Sequence, residues 1–99
     1  MNQERISIEN SLRTVLDPEA GINVMDLGLI YNLEVDGGSV RITMTLTSAG
    51  CPVGPMIVED VQSTLEAALP DRQILISLVF DPPWTPERIT EEGKRLLEL

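Results

Sequence analysis

A single cysteine is the strongest nucleophile and the softest metal ligand in this sequence. Cys51 follows two hydroxyl residues, Thr47 and Ser48, and directly precedes Pro52. If the next helix begins at Pro52, Cys51 is its N-cap, where the positive end of the helix dipole favours a thiolate. The alternative is an inert, buried, small apolar side chain. The local pattern leaves both interpretations open.

Carboxylates upstream of the cysteine form a second candidate group. Asp17 and Glu19 flank Pro18, and Asp26 follows in the same segment. Paired carboxylates serve as an acid–base pair or as ligands of a hard metal ion. In a chain with 16 acidic residues most carboxylates are only solvated, so these three carry little weight by themselves.

Trp84 stands in the proline-rich run Pro-Pro-Trp-Thr-Pro. Its indole is either an anchor that packs on the core at a rigid turn or an exposed docking group. We favour the anchor, and we keep docking of a partner as the alternative.

Composition excludes several classes of protein. The chain of 99 residues has 7 basic and 16 acidic residues, a net charge of −9 and no histidine. Histidine-dependent hydrolases and histidine-ligated zinc sites are therefore excluded, and a nucleic-acid partner is not expected. One cysteine without a signal-like N-terminus predicts the reducing cytoplasm, and the apolar stretches are too short to span a membrane. The charge favours basic protein partners.

Periodicity predicts an α+β domain that spans residues 1–99. Ser7 is expected to cap a first helix whose inner face is Ile8, Leu12, Val15 and Leu16, ended by Asp17-Pro18. The later predicted elements are strands 30–35 and 40–47 joined by a turn, a helix over 52–69, a third strand 74–80, and a short helix capped by Thr90. The order α-β-β-α-β-α predicts a two-layer sandwich, with helices on a small mixed three-stranded sheet.

The third strand carries apolar residues on both faces. Ile74, Ile76 and Leu78 alternate with Leu75 and Val79. A second apolar face predicts either a strand covered on both sides or an interface with a second copy, and hence a homodimer. The pattern does not decide whether this strand lies beside the first or the second.

Four short motifs follow one another along the chain: LDPE at 16–19, DLGLIY at 26–31, LTSAGCP at 46–52 and FDPPWTP at 80–86. In this order, and at this chain length, they resemble the SufT-like and PaaD-like family of metal-sulfur cluster biosynthetic proteins. The extra cysteine-bearing C-terminal region of PaaD-like members does not follow Leu99, which favours the minimal single-domain SufT-like type.

The resemblance implies a fold similar to the iron-sulfur cluster assembly domain. It implies a non-enzymatic role in assembling iron-sulfur clusters or delivering them to apo-client proteins, together with the assembly machinery. It also implies the site residues: Asp17, Glu19, Thr47, Ser48 and Cys51 occupy the positions of the family's functional cluster.

Stoichiometry limits how a cluster, or iron, could be held. Iron-sulfur clusters generally take four cysteine ligands, and this chain has one. Three arrangements stay open: a homodimer with two thiolates, a transient site that a client or a small thiol completes, and an adaptor that never touches the metal. We favour the transient site, in which Cys51 contacts the iron and the other four residues support it.

Overall fold

A computed structural model describes residues 3–97. It contains three α-helices, α1 (Gln3–Leu12), α2 (Gly54–Ala68) and α3 (Glu91–Leu96), and three strands, β1 (Ile30–Val35), β2 (Ser39–Met44) and β3 (Gln73–Leu78). A 3-10 turn, Pro86–Arg88, precedes α3. The predicted element order and the α+β class are confirmed.

The sheet is mixed and has the order β1-β2-β3. β1 and β2 form an antiparallel hairpin, and β3 runs parallel to β2 with Ile74 opposite Val40 and Leu78 opposite Met44. The third strand therefore lies beside the second, which the sequence pattern left open. A parallel neighbour requires a long crossover, and α2 supplies it.

The core lies between one face of the sheet and the helices. β2 contributes Val40, Ile42 and Met44 at alternate positions, and all three are buried. The inner face of α2 is Ile57, Val61 and Leu65, which are also buried. The opposite side of β2 carries Arg41, which is exposed, so the helices cover one face of the sheet. This arrangement confirms the two-layer sandwich.

The first helix differs from the prediction at both ends. Helical structure already includes Gln3, so Ser7 lies inside α1 on its exposed side and is not the cap. The helix also ends at Leu12, before the predicted stop at Asp17-Pro18. Leu16 is therefore not on a helical inner face: it forms an isolated antiparallel bridge with Asn23, and its side chain is exposed.

The segment between α1 and β1 folds into a compact loop. The Asp17 N–H donates to the carbonyl of Ile22 at 3.0 Å, and the Val24 N–H donates to that of Val15 at 3.0 Å. Five of its apolar side chains are buried in the main core: Val15, Ile22, Val24, Leu27 and Leu29. This loop is consequently a fixed part of the fold that can position the residues it carries.

Within residues 3–97, no helix combines the length and the apolar character that crossing a bilayer requires.

Candidate functional site

Cys51 lies in a tight turn that connects β2 to α2. Its backbone N–H donates to the Ser48 carbonyl at 3.2 Å, and its own carbonyl accepts from the Gly54 N–H at 3.2 Å. The cysteine is 8% exposed and its thiol is free. The turn thus holds the sulfur where the core meets the surface.

The predicted capping role of Cys51 is wrong. α2 begins at Gly54, its N-cap is Val53, and the proline in its first turn is Pro55. Both Pro52 and Pro55 satisfy the rule that proline is tolerated in the first helical turn, so the sequence pattern alone could not choose between them. The i to i+3 hydrogen bond from Gly54 to Cys51 closes a turn ahead of the helix.

The compact loop after α1 brings a carboxylate to the sulfur. The Cys51 thiol donates to Oε1 of Glu19 at 3.8 Å, across 32 positions of sequence. Glu19 itself is exposed, so the carboxylate side of the pair faces solvent. The two residues that the family resemblance grouped together are therefore neighbours in the structure.

Asp17 supports this contact from beneath the surface. It is 1% exposed, and its Oδ1 accepts the backbone N–H groups of Glu19 at 2.9 Å and Ala20 at 3.2 Å. An aspartate that accepts hydrogen bonds from the backbone two and three residues later stabilises a turn. Asp17 thus fixes the turn that presents Glu19 to the thiol.

The two hydroxyl residues lie in the chain that enters the Cys51 turn. Thr47 is half-buried and Ser48 is exposed. Ser48 contributes its backbone carbonyl to the turn. Within residues 3–97 the hydrogen-bond partner of the sulfur is Glu19, and neither hydroxyl donates to it.

An apolar groove opens beside the sulfur, and we call it the thiol groove. Its volume is about 550 Å³, and its lining includes Leu46, Cys51, Pro55, Val58, Leu78 and Phe80. Sequence reasoning missed this groove. The available signal was that Leu78 and Phe80 continue the helix-facing alternation of β3 beyond the end of the buried core, and each is 42% exposed.

Trp84 is held by the fold. Its indole N–H donates to the carbonyl of Leu27 at 2.7 Å, and the half-buried ring packs against the core. These contacts favour the anchor interpretation. Trp84 is not among the residues that line the thiol groove.

Asp26 belongs to a separate buried network. Its carboxylate accepts from Asn23 Nδ2 at 2.8 Å and from Thr90 Oγ1 at 2.8 Å, and Arg13 Nε lies 3.9 Å away. Asp26 is buried, and these partners satisfy both oxygens. The network joins the loop before β1 to the start of α3, so Asp26 stabilises the fold.

Few potential metal ligands lie at the thiol. One thiol and one carboxylate lie together, and in the described part of the chain no group of three or more Cys, His, Asp or Glu side chains could hold a metal ion. The site therefore offers an incomplete ligand set that another molecule would have to complete.

Two relatives with assigned names are similar over most of this chain. A protein of Porphyromonas gingivalis named Fe-S protein maturation auxiliary factor is 43% identical, with 100% of this chain and 97% of that protein covered. The Fe-S protein maturation auxiliary factor SufT of Staphylococcus aureus is 43% identical, with 81% and 92% covered.

A solved structure and a family profile agree with these relatives. A domain of unknown function from Bacillus anthracis superposes with a TM-score of 0.87 at 36% identity, covering 95% of this chain and 91% of that one. The profile of a family described as iron-sulfur cluster assembly protein matches residues 5–76, which include the compact loop, the Cys51 turn and α2. The family predicted from the four motifs is confirmed: this chain belongs to the iron-sulfur cluster assembly protein family.

Proposed function

We propose that this protein is a non-catalytic maturation factor that holds iron or an iron-sulfur cluster transiently at Cys51 and passes it to client proteins. The observation that carries the proposal is the Cys51–Glu19 pair, a soft and a hard ligand 3.8 Å apart, whose cysteine lines a groove. Two relatives are named Fe-S protein maturation auxiliary factors, and these names support a role in maturation.

The missing ligands come from outside the chain in this proposal. A thiolate binds iron strongly, but one thiolate and one carboxylate leave at least half of a tetrahedral iron site open. An incomplete site suits a handover, because the receiving protein completes the ligand set and then keeps the cargo. Assembly machinery and apo-clients are the corresponding partners, in a reducing cytoplasm where a lone cysteine stays a thiol.

Iron retention tests this proposal. The protein is reconstituted anaerobically with ferrous iron, sulfide and glutathione as the external thiol, and bound iron is counted after desalting. We expect the wild type to retain iron and Cys51→Ser to lose it. Ser63→Ala, on the exposed side of α2, is the matched control and should behave as the wild type. Equal retention by wild type and Cys51→Ser would exclude direct ligation.

An adaptor is the second candidate function. The small number of potential metal ligands favours it, because a docking protein needs no metal ligands. The protein would then bring assembly machinery and apo-clients together through its acidic surface. Equal rates of client maturation by the assembly machinery in the presence of wild type and of Cys51→Ser would support the adaptor.

The homodimer predicted from the second apolar face of β3 is a separate proposal. Leu75 on that face is exposed and Val79 is half-buried. Two copies would supply two Cys51 thiolates. Sedimentation that shows a monomer at high concentration would remove the two-thiolate arrangement.

A further inference from the structure

β3 has an open edge next to the thiol groove. In the part of the chain that the structure describes, β3 pairs with β2 alone. The N–H groups of Gln73 and Val79 donate towards β2, to Gly38 and Met44. Because hydrogen-bonding directions alternate along a strand, the backbone groups of Ile76 and Leu78 point to the open edge.

One polar group on this edge already has a partner. The carbonyl of Ile74 accepts from Gln62 Nε2 at 3.1 Å, so this side chain of α2 covers the start of the edge. The remaining edge runs from Ile76 towards Phe80. Its end coincides with the groove, since Leu78 and Phe80 line both.

This edge lacks the usual protection against a further strand. Exposed edges normally carry charges, proline or bulges that prevent pairing with another chain. The stretch 73–80, QILISLVF, has no charged residue and no proline. Leu78 and Phe80 stay exposed beside it. An extended segment with apolar side chains could therefore add to β3 and fill the groove.

The charge around the groove selects the kind of segment. Between residues 42 and 87 the sequence has one basic residue, Arg72, and that side chain is already bonded to Glu4 and to the Asp36 carbonyl. Acidic residues contact a lining residue of the groove or are next to one in sequence: Glu19 contacts Cys51, Glu59 follows Val58, and Asp81 follows Phe80. A segment with Lys or Arg at its ends complements this field.

We propose that the thiol groove and the open edge of β3 bind an extended apolar segment of a partner protein, flanked by basic residues, as an added strand. This inference names the partner chemistry of the site described under Proposed function and rests on it. The bound segment places one of its side chains beside Cys51, where a cysteine of the partner could add a further ligand. A second copy is less suitable, because each copy carries a charge of −9.

Synthetic peptides test the binding chemistry without metal. The probe is the fluorescently labelled peptide KKVTVLVKK, and its controls are EEVTVLVEE, with reversed end charges, and KKVTPLVKK, which cannot pair fully as a strand. We expect KKVTVLVKK to bind the full-length, metal-free protein at least about tenfold more tightly than either control, with affinity that falls as salt rises. The amide NMR signals of Ile76 and Leu78 should shift on binding.

Two variants of β3 provide a matched pair. Leu78→Arg places a positive charge in the groove, whereas Leu75→Arg places the same charge on the opposite face of the strand. The two leucines have similar exposure, 42% and 39%. We expect Leu78→Arg to weaken peptide binding by at least about tenfold and Leu75→Arg to leave it within about twofold. Circular dichroism melting confirms that both variants fold.

Three results would overturn the inference: equal binding of all three peptides, equal effects of the two variants, or a dimer of the peptide-free protein in which the two β3 strands pair edge to edge. The last would assign the edge to a second copy. If the wild type retains iron but does not bind the peptide, this partner is rejected and the proposed function stands. If the wild type binds the peptide but does not retain iron, iron ligation is rejected and the docking site stands.

Discussion

The thiol of Cys51 lies 3.8 Å from Oε1 of Glu19, although 32 positions of sequence, including the β1-β2 hairpin, separate the two residues. The contact depends on two turns. One is the Asp17 turn in the loop after α1, and the other is the Ser48–Cys51 turn before α2. A change in either turn would therefore alter the distance between the thiol and the carboxylate.

Glu19→Gln should reduce the iron that the reconstituted protein retains, without abolishing it. The amide keeps the size of the side chain but loses the negative charge that attracts a cation, whereas the thiolate ligand stays in place. Iron counting after desalting measures the loss. Glu59→Gln, an exposed carboxylate on α2, is the charge-matched control and should retain iron as the wild type does. An equal loss in both variants would assign the effect to overall charge.

Asp17→Ala should destabilise the protein by about 1–3 kcal/mol, because two backbone N–H groups lose the buried acceptor that satisfies them. Asp17→Asn keeps a side-chain oxygen at this position and should cost clearly less. Urea denaturation measures both free energies of unfolding. If the two variants were equally unstable, the negative charge of Asp17, and not its acceptor geometry, would hold the turn.

Gly28→Ala should be among the most destabilising single changes in the chain. Gly28 has φ +85°, and a Cβ there would overlap the backbone carbonyl of Arg88. Gly21→Ala is the matched control: its φ is +82°, but a Cβ would meet no atom within 4 Å. We expect a loss of about 1–2 kcal/mol for Gly21→Ala, from backbone conformation alone, and more than about 3 kcal/mol for Gly28→Ala. Similar losses would contradict the close approach to Arg88.

Much of the fold follows from local patterns in the sequence. The strand Ile30–Val35 has the predicted bounds, and Thr90 caps α3 as predicted by accepting from the Gly93 N–H at 2.9 Å. The alternation of Val40, Ile42 and Met44 in β2 matches buried positions, and so does the helical spacing of Ile57, Val61 and Leu65 in α2. Ala68, which the same spacing places on the inner face, is exposed. These signals are local, because each depends on neighbours along one strand or one helix.

What the sequence left open depends on contacts between distant segments. The pattern predicted a loop before β1 but not that Ile22 and Val24 enter the core. It suggested that α2 starts at Pro52, but the turn at Cys51 delays the start to Gly54. The candidate site was grouped through the family resemblance, and only the fold shows that Glu19 reaches the sulfur while Asp17 is bonded to backbone. The thiol groove had no local signal of comparable strength.

Thr90→Val should destabilise the protein by about 1–3 kcal/mol. The Thr90 hydroxyl donates to Asp26 at 2.8 Å and accepts from the Gly93 N–H, so valine removes a helix cap and leaves a buried carboxylate oxygen without a partner. Thr90→Ser keeps both hydrogen bonds and should stay within about 0.5 kcal/mol of the wild type. Thermal unfolding compares them. Equal losses would mean that the methyl group, which valine keeps and serine lacks, contributes as much to stability as the hydroxyl.

Acid should weaken the β1-β2 turn through Asp36. Hydrogen bonds from the backbone N–H groups of Gly38 and Ser39, and then from the Ser39 hydroxyl, hold the pKa of the Asp36 carboxyl below its ordinary value of 3.8. A carboxyl whose pKa is lowered by folding stabilises the protein fully above its unfolded pKa. That contribution is lost as the pH falls through the lower, folded value.

Asp36→Asn separates this contribution from the general effect of acid on an acidic protein. We expect the wild type to be more stable than Asp36→Asn at neutral pH, and the difference to shrink as the pH is lowered below about 4. Asp71→Asn, an exposed carboxylate in the turn between α2 and β3, is the control and should follow the wild type at every pH. Urea denaturation at several pH values, with an NMR titration of the Asp36 side-chain carboxyl carbon, measures both quantities. A difference between wild type and Asp36→Asn that stays constant down to strongly acidic pH would show that the turn does not require the ionised carboxylate.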